Sequence, residues 1–593
     1  MSSDGSMART IAEAFRHTVA LAPDRVAVRT IDDRVSLTWG ALARRVDALA
    51  GGLAKLGVGR GDAVALMLNN RPEFHIADLA VMTLGATPFS IYQTLPPAQI
   101  EYVVRDAGAR VAIVETALLE SFRAARRRLP QLEHVVVVDG GGDDDTLALA
   151  EVEGSNPAFD AEAASRVIMP DDVLTLIYTS GTTGPPKGVQ LTHRNLLACA
   201  KVVQATVRLP EGARVISWLP AAHIAERAAH HYLPIVFGFT ITCCPNPREV
   251  VAYLPQVRPN WFFAVPRIWE KIKAGLEARL AALPEEQRAR IEQALAAARE
   301  KVRREQAGQP VPPALAAQVA QADAEIFAML RAMLGLDQVV AVNVGAAPTP
   351  PDVIEFFHAI GIPIGELWGM SETSGAGTLN PPGRIKIGTV GPPVPGVEIK
   401  LAADGEVLIR GDVVMKGYRN QPEKTAEVLD PDGWLATGDV GVLDADGYLR
   451  IVDRKKELII NSAGKNMSPA NIEAALKTAS PLIGQVCVIG DQRPFVAALI
   501  VLDADFAPAW AAQHGLEERA LGQLAHEPAV IAAVEQAVAL ANSHLSRVEQ
   551  VRRFRIVPGD WTPGGAELTP TLKLKRKPIA EKYAAEIEAM YAV

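Results

Sequence analysis

Residues 178–188, Tyr-Thr-Ser-Gly-Thr-Thr-Gly-Pro-Pro-Lys-Gly, combine the residue types that hold a polyphosphate. Hydroxyl side chains, flexible glycines, free backbone N–H groups and one lysine form an anion cradle. The stretch is not a Walker A loop, because its two inner glycines are too close together and Gly188 follows Lys187. A turn that only joins two elements is the alternative. The phosphate-binding residues predicted here are Thr179, Ser180, Gly181, Thr182, Thr183, Gly184 and Lys187.

The flanking residues indicate how this loop is held. The apolar run 173–177 predicts a buried strand before it, and an apolar helical pattern begins at Leu196, after Thr192–Asn195. We therefore expect the order strand, glycine-rich loop, helix.

Further phrases follow the loop in order. Taken with it, they resemble the AMP-forming adenylating enzymes, a family of acyl-CoA synthetases, luciferases and peptide-synthetase adenylation domains. The resemblance covers nearly the whole chain and rests on these stretches: 218–227 (WLPAAHIAER), 345–348 (GAAP), 367–373 (LWGMSET), 432–439 (DGWLATGD), 452–459 (VDRKKELI) and 567–577 (ELTPTLKLKRK).

The first two of these phrases imply contacts with the acid and the base. A lone histidine at a strand end is more often structural, but the resemblance places His223 on the carboxylate side of the site. The family binds adenine at the position of Gly345, Ala346 and Ala347. Small residues after a strand would let a flat ring lie against the backbone, although by themselves they are a weak signal.

The phrase at 367–373 resembles the family's Tyr-Gly-x-Thr-Glu motif, with Trp368 and Ser371 in place of Tyr and Thr. The resemblance implies that Trp368 stacks on adenine beside Gly369, that the Ser371 hydroxyl contacts the α-phosphate, and that Glu372 holds Mg²⁺. Thr179 is the second Mg²⁺ ligand predicted. A serine-hydrolase elbow is excluded because Thr373 occupies the place of its last glycine.

The stretches 432–439 and 452–459, which carry acidic and basic residues, imply the ribose contacts and a hinge between domains. A carboxylate suits two ribose hydroxyls, and the resemblance assigns that role to Asp439, with Arg454 reaching the same sugar. Lys456 occupies the hinge position whose backbone rotates, and Gly464 would line the thiol entrance. The alternatives are an Asx-turn at Gly438–Asp439 and a solvated charged loop at 453–457.

The family's adenylation lysine has two candidates near the end of the chain. Lys573 matches best because the basic residues after it then align. Lys575 remains the alternative, since Leu572 stands where the family has glycine before that lysine. A basic surface strand is the interpretation that the stretch alone would favour.

Composition narrows the function classes. The 593 residues carry a net charge of −8, which argues against general nucleic-acid binding. Four scattered cysteines cannot form a disulfide framework, which indicates a reducing compartment. No signal peptide and no apolar run of about 18 residues is visible, so we expect a cytoplasmic protein. A peripheral membrane contact and a homodimer stay open.

The alternation of strands and helices predicts an α/β fold. We expect a large N-terminal domain of parallel α/β sheets with a β-rich subdomain (1–452), interrupted by two long helices over about 269–335. A small mobile α+β domain (453–593) should follow the hinge.

The resemblance implies an enzyme that activates a long-chain fatty acid with ATP and Mg²⁺ through acyl-AMP, and transfers it to coenzyme A. The helical insertion, the long hinge phrase and the ending at 568–576 are typical of the hydrophobic-acid branch. The alternatives are an enzyme that stops at acyl-AMP or loads a carrier protein, and a catalytically silent nucleotide-binding protein.

Overall fold

The computed structural model describes residues 8–179, 185–460, 466–517 and 520–592. Its strands are β1 (Val26–Thr30), β2 (Ser36–Thr38), β3 (Ala63–Met67), β4 (Thr87–Ser90), β5 (Val111–Val114), β6 (His134–Val137), β7 (Leu147–Ala148), β8 (Val173–Thr179), β9 (Lys187–Thr192), β10 (Arg214–Ser217), β11 (Thr240–Cys243), β12 (Trp261–Ala264), β13 (Ala341–Val344), β14 (Ile364–Trp368), β15 (Thr378–Leu379), β16 (Val397–Leu401), β17 (Glu406–Gly411), β18 (Gly417–Tyr418), β19 (Leu435–Leu443), β20 (Leu449–Arg454), β21 (Ile459–Ile460), β22 (Asn466–Met467), β23 (Ile483–Ile489), β24 (Val496–Leu502) and β25 (Val551–Ile556).

The α-helices are α1 (Ile11–Leu21), α2 (Trp39–Lys55), α3 (Pro72–Thr83), α4 (Pro97–Ala107), α5 (Leu119–Arg126), α6 (Leu149–Glu153), α7 (Ala161–Arg166), α8 (His193–Thr206), α9 (Ile224–Glu226), α10 (Leu233–Phe237), α11 (Val250–Val257), α12 (Pro266–Ala281), α13 (Glu285–Gln306), α14 (Pro313–Ala322), α15 (Ala328–Leu334), α16 (Pro351–Ala359), α17 (Pro422–Ala426), α18 (Pro469–Ala479), α19 (Phe506–Gln513), α20 (Leu521–Leu524), α21 (Pro528–His544), α22 (Arg576–Lys582) and α23 (Ala584–Tyr591). Single 3₁₀ turns span Thr116–Leu118, Pro247–Glu249 and Ser371–Thr373, and π-helical turns span Arg227–Tyr232 and Asp323–Phe327.

An eight-stranded sheet carries the glycine-rich loop. Its order is β18-β9-β8-β4-β3-β5-β6-β7, and the six strands from β8 to β7 run parallel. Apolar side chains fill both faces of β3, whose five residues are all buried, as expected for a strand covered by helices on both sides. The predicted α/β architecture is confirmed.

The prediction of strand, loop and helix was wrong in its last step. Residues 187–192 form β9, which pairs antiparallel with β8 before α8 begins after the Thr192 cap. Gly188 permits this pairing, because a Cβ there would lie 3.1 Å from the Tyr178 ring. Strands β8 and β9 therefore form a β-hairpin. The N-terminus of α8, the source of a helix dipole, lies beyond β9 and does not directly follow the predicted phosphate cradle.

A second sheet of order β12-β13-β14-β15 brings two of the predicted phrases together. Strands β12, β13 and β14 are parallel, with Val344 opposite Glu366. Gly345 follows β13 and Trp368 ends β14, so both phrases leave this sheet at neighbouring carboxyl ends. A third sheet, β10-β11-β1-β2, ends β10 at Ser217, just before the His223 phrase. It also includes an antiparallel hairpin of β1 and β2.

The insertion predicted as two long helices contains three helical segments instead. Helix α12 ends at Ala281, α13 runs to Gln306, and α14 continues through a π turn into α15. Pro284 caps the start of α13; it lacks an N–H and could not continue α12. Between Gln306, where α13 ends, and Pro313, where α14 begins, the chain is not helical.

Strands β16, β17, β19 and β20 form an antiparallel sheet, which is the predicted β-rich subdomain. Residues after the hinge phrase build their own sheet, β23-β24-β25, with a separate apolar core against α18 and α21. The boundary at 453 stays a prediction. In the described parts of the chain, no helix combines the length and apolar character needed to cross a bilayer.

Candidate active site

Thr179 is the last residue of β8 and Lys187 the first residue of β9, at the two ends of the predicted phosphate-binding loop. Thr179 pairs with Lys187 across the last rung, and its hydroxyl lies 3.4 Å from the Lys187 carbonyl oxygen. Ser180, Gly181, Thr182, Thr183 and Gly184 lie outside the described residues, so their phosphate contacts stay predictions.

Lys187 and Glu372 are joined through Tyr418. The Tyr418 hydroxyl donates to Glu372 Oε1 at 2.8 Å, and Lys187 Nζ lies 4.1 Å from the centroid of the Tyr418 ring. Glu372 itself is buried, in the 3₁₀ turn that begins at the half-buried Ser371. Partial burial lowers the pKa of Lys187, and the Lys456 charge acts in the same direction while Glu372 opposes it.

Tyr418 was not predicted from the sequence. It lies on the two-residue strand β18, opposite Val189 of β9, about 46 positions from its partner Glu372. Burial and the Glu372 carboxylate raise its pKa well above the ordinary tyrosine value, so it stays a hydrogen-bond donor. Tyr418 is recognised as a site residue only from the folded structure, where the pairing of β18 with β9 places its ring beside Lys187.

His223 begins the short helix α9, and its Nδ1 accepts a hydrogen bond from the Ala225 N–H at 3.2 Å. Burial lowers the pKa of His223 to about 4, and the Lys573 charge acts in the same direction. The ring is therefore neutral at pH 7, and its Nε2 carries the proton. A neutral N–H is suited to donate to a substrate oxygen.

The predicted adenine contacts lie side by side. Ala346 adopts a left-handed conformation with φ of 72°, and Ala346 and Ala347 are exposed. Gly345 is required for packing, since a Cβ there would meet the Leu367 side chain at 2.9 Å. Gly369 is also required, because its Cβ would lie 2.4 Å from the Gly375 carbonyl oxygen.

Trp368 and Asp439 connect this region to the predicted ribose site. The Trp368 indole N–H donates to Asp439 Oδ2 at 2.7 Å, and Arg454 Nε lies 2.8 Å from Asp439 Oδ1. Burial raises the pKa of Asp439 despite the opposing charge of Arg454. The register of β19 and β20 places Asp439 opposite Arg454, so the sheet positions both predicted ribose contacts.

Lys573 lies at the point where these groups converge. Protein around its ammonium lowers its pKa, and Arg454 adds to this effect while Asp439 and Glu372 oppose it. The side chain keeps solvent exposure, and within the described part of the chain no carboxylate forms an ion pair with it. The Lys573 ammonium therefore lies among the site residues, and no carboxylate of the described residues pairs with it.

Lys575, the alternative, lies differently. Its ammonium donates to the Gly565 carbonyl oxygen at 2.8 Å, which ties it to the base of the hairpin whose tip is 569–573. The Thr569 N–H donates to the Lys573 carbonyl at 2.8 Å, and the Lys573 N–H donates to Thr569 Oγ1 at 3.0 Å. The structure thus favours Lys573.

The tip of this hairpin is strained at Leu572, which adopts a left-handed conformation with φ of 64°. We expect Leu572→Gly to stabilise the protein by about 1 kcal/mol relative to Leu572→Ala, because a Cβ is disfavoured in this conformation. Both variants remove the exposed leucine side chain, so the difference between their thermal unfolding midpoints reports the cost of a Cβ in the left-handed conformation. Equal midpoints would show that the tip is not held in this conformation.

An apolar cavity begins beside His223. Its wall consists of Ala225, Ala228, Ala229 and Leu233, residues of α8 and the sheet β12–β15, and the segment after Glu372. The full lining is Cys199, Val202, Val203, Val207, Leu209, Ala225, Ala228, Ala229, Leu233, Trp261, Phe263, Asn343, Leu367, Ser374, Gly375, Ala376, Thr378, Leu379 and Val394.

The few polar side chains of this cavity are already bonded within the protein. The Asn343 amide accepts from the Trp261 indole at 2.9 Å and donates to the Gly365 carbonyl at 3.2 Å. Ser374 and Thr378 donate to backbone carbonyls at 2.8 and 2.7 Å. The cavity therefore offers an occupant almost only apolar contacts.

Comparisons with known proteins identify the family of this chain. Residues 15–419 match the AMP-binding enzyme family, and 456–593 match the AMP-binding enzyme C-terminal domain. The chain belongs to the AMP-binding enzyme family. FadD15 of Mycobacterium bovis, a long-chain-fatty-acid–CoA ligase, is 37% identical over 580 residues, 96% of this chain and 95% of that protein. FadD11 of Mycobacterium tuberculosis, assigned as a fatty-acid–CoA ligase, is 49% identical over 75% of this chain and 79% of its own length.

Solved structures confirm the fold of the family. The anthranilate CoA ligase AuaEII, in complex with anthranoyl-AMP, superposes with a TM-score of 0.74 over 99% of both chains at 22% identity. The predicted family and fold class are thus confirmed, and nucleotide binding follows from membership.

The structure brings together most of the predicted site residues. Those that converge are Thr179, Lys187, His223, Gly345, Ala346, Ala347, Trp368, Gly369, Ser371, Glu372, Asp439, Arg454, Lys456 and Lys573. Lys456 is exposed, and its charge acts on Lys187. Gly464 lies outside the described residues. Their individual roles stay predictions.

The residues of the site fit a magnesium ion that is held by one or two protein ligands together with the phosphates of the nucleotide. Among the described residues no cluster of three His, Cys, Asp or Glu could hold a metal alone. A single buried carboxylate, Glu372, suits an ion that takes its remaining oxygen ligands from phosphates and water. Thr179 stays the second protein ligand predicted.

Proposed function

We propose that this protein is an AMP-forming ligase that joins a long-chain fatty acid to coenzyme A. It activates the carboxylate with ATP as an acyl adenylate and releases pyrophosphate, and the thiol of coenzyme A then displaces AMP. Mg²⁺ held by Glu372 and Thr179 would neutralise phosphate charge.

The apolar cavity is the observation that carries the proposal. A polar or charged substituent on the acid would lose its hydration there without gaining a partner, at a cost of about 1–3 kcal/mol. An unsubstituted chain gains roughly 0.8 kcal/mol for each buried methylene. The cavity therefore selects a hydrocarbon tail.

The head of the acid would lie between His223 and Lys573. The neutral His223 ring can donate an N–H to a carboxylate oxygen, and Lys573 supplies a positive charge near both that oxygen and the α-phosphate. Attack on phosphorus needs little covalent help from the protein, so positioning and charge stabilisation carry the catalysis. Asp439, Arg454 and Trp368 would hold the nucleoside in register.

Coenzyme A as acceptor is supported by the fatty-acid–CoA ligase names of the relatives matched above, FadD15 over 96% of this chain and FadD11 over 75%. Long chain length is supported by the name of FadD15 together with the cavity. The intact Glu372 and Lys573 argue against a catalytically silent protein.

A larger side chain in the cavity wall should shorten the preferred acid. Ala229→Phe should exclude about four methylenes, a loss of about 3 kcal/mol and thus roughly 100-fold in kcat/KM for palmitate. Hexanoate should react as in the wild type, because its tail ends before the new ring. Initial rates with both acids measure this, and an equal loss for both would place the tail elsewhere.

The proposal is tested by ATP-dependent pyrophosphate release with saturated acids from acetate to stearate, with coenzyme A present. Release that rises with chain length and peaks at long chains supports it. Release that peaks with acetate or another short acid would exclude a long-chain substrate. Absence of release with every acid would exclude a ligase.

A further inference from the structure

A fully buried polar cluster lies behind the acyl cavity. Its members come from helix α3, strand β4 and the π turn 227–232, and each is at most 5% exposed. We call it the Arg227 cluster, and it consists of Asp78, Ser90, Arg227, His231 and Tyr232.

The cluster is densely bonded. Arg227 donates to Ser90 Oγ and Tyr232 Oη at 2.9 Å each, and forms an ion pair with Asp78. Asp78 Oδ1 also accepts from His231 Nε2 at 2.8 Å and from Tyr232 Oη at 3.1 Å. Burial acts to raise the pKa of Asp78, but Arg227 and His231 outweigh it and leave the value lowered. The carboxylate is therefore charged and its pairing is strong.

The π turn is what brings these side chains onto one face. In an α-helix, with about 100° per residue, Tyr232 would point about 140° away from Arg227. That direction falls between those of Ala228 and Ala229, at about 100° and 200°, which both line the acyl cavity. The wider π turn returns Tyr232 to the side of Arg227.

The helix backbone alone does not fix this register. Pro234 follows the turn and has no N–H with which to continue either an α or a π ladder. The side-chain bonds to Asp78 exist only when Arg227, His231 and Tyr232 share a face. The choice between the two registers thus depends on the cluster.

We propose that the Arg227 cluster determines acyl-chain specificity by holding the π turn, which keeps the Tyr232 ring out of the acyl cavity. Arg227 is a positioning residue, because it acts through Tyr232 and does not touch the tail. The inference rests on the proposed function for its substrate, a long-chain fatty acid.

Loss of the cluster should therefore affect long acids selectively. In Arg227→Met the turn can adopt the α register and turn the Tyr232 ring into the cavity. We expect KM for palmitate to rise at least tenfold, with kcat and the KM for hexanoate within twofold of the wild type. Tyr232→Phe, which keeps the ring but loses both hydroxyl bonds, should shift the profile in the same direction by a smaller factor and preserves the packing if Arg227→Met does not fold.

The decisive variant removes the ring as well. Arg227→Met/Tyr232→Ala should regain palmitate binding, because no ring remains to fill the cavity; likewise Tyr232→Ala alone should bind palmitate at least as well as Tyr232→Phe. A general loss of stability would not be rescued by a second truncation. Phe122→Ala, in a core cluster that shares no residue with the cavity lining, is the control for destabilisation and should leave the ratio of palmitate to hexanoate KM unchanged.

Binding is measured separately from turnover, by intrinsic fluorescence. We expect palmitate to change the emission of Trp261, which lines the cavity, and we expect that change to be lost in Trp261→Phe. An unchanged ratio of palmitate to hexanoate affinity in Arg227→Met and in Tyr232→Phe would overturn the inference, as would failure of the double variant to regain palmitate. Palmitate binding without pyrophosphate release in the wild type would instead refute the proposed function and leave the binding test of the cluster valid.

Discussion

Lys573→Ala should lower the rate of acyl-adenylate formation by a factor of about 100 to 1,000, the usual loss when one charge-stabilising group is removed. The structure gives the reason. The Lys573 ammonium lies within the electrostatic reach of His223, Glu372 and Asp439, where the carboxylate and the α-phosphate of the reactants are expected to meet. The measurement is acid-dependent exchange of labelled pyrophosphate into ATP.

Lys575→Ala is the matched control. It removes the same charge two residues away in the same hairpin, and the lost contact is the single bond to Gly565. We expect exchange within about threefold of the wild type. Thioester formation from pre-made acyl-AMP and coenzyme A should survive in Lys573→Ala, because pyrophosphate has then already left. A large exchange defect in Lys575→Ala with a normal Lys573→Ala would reverse the assignment of the two lysines.

Glu372→Ala should abolish acid-dependent pyrophosphate release. Glu372→Gln should still lose about 100-fold or more, because the carboxylate charge is gone although the amide oxygen can accept the Tyr418 hydroxyl bond. Rates at increasing Mg²⁺ concentration measure the effect, and we expect the half-saturating Mg²⁺ concentration to rise in Glu372→Gln.

Tyr418→Phe tests the hydrogen bond that the Tyr418 hydroxyl donates to the Glu372 carboxylate. It removes one hydrogen bond to Glu372 and keeps the ring under the Lys187 ammonium, so we expect a loss of about tenfold, near the net value of a hydrogen bond to a charged group.

Wild-type activity in Glu372→Gln at all Mg²⁺ concentrations would remove Glu372 from the metal site.

The sequence predicted the fold class and most of the converging side chains because those depend on local patterns. The strand run 173–177, the helix start after Thr192 and the ordered motifs are each recognised within about ten residues. Strand β9 was missed because its six residues lie between a loop and a helix start, and their pairing with β8 is a contact across the loop. The end of α12 before Pro284 was missed because the Ala-, Glu- and Arg-rich pattern continues on both sides of it.

Other features have no local signal at all. Tyr418 reaches Glu372 only through the pairing of β18 with β9. The acyl cavity collects residues from 199 to 394, so its shape depends on tertiary packing. Buried charges at Asp78 and Arg227, 149 positions apart, cannot be paired by periodicity. The left-handed Leu572 likewise shows only in the folded hairpin, although the sequence indicated its departure from the family's glycine.

The proposed reaction has two steps and passes through acyl-AMP. The most direct test incubates the enzyme with ATP, Mg²⁺ and radiolabelled palmitate without coenzyme A, identifies the enzyme-bound product, and then adds coenzyme A. We predict about one equivalent of palmitoyl-AMP per active site, which coenzyme A converts to palmitoyl-CoA with release of AMP. Palmitoyl-AMP that coenzyme A leaves unchanged, or palmitoyl-CoA formed with ADP as the other product, would exclude this two-step reaction.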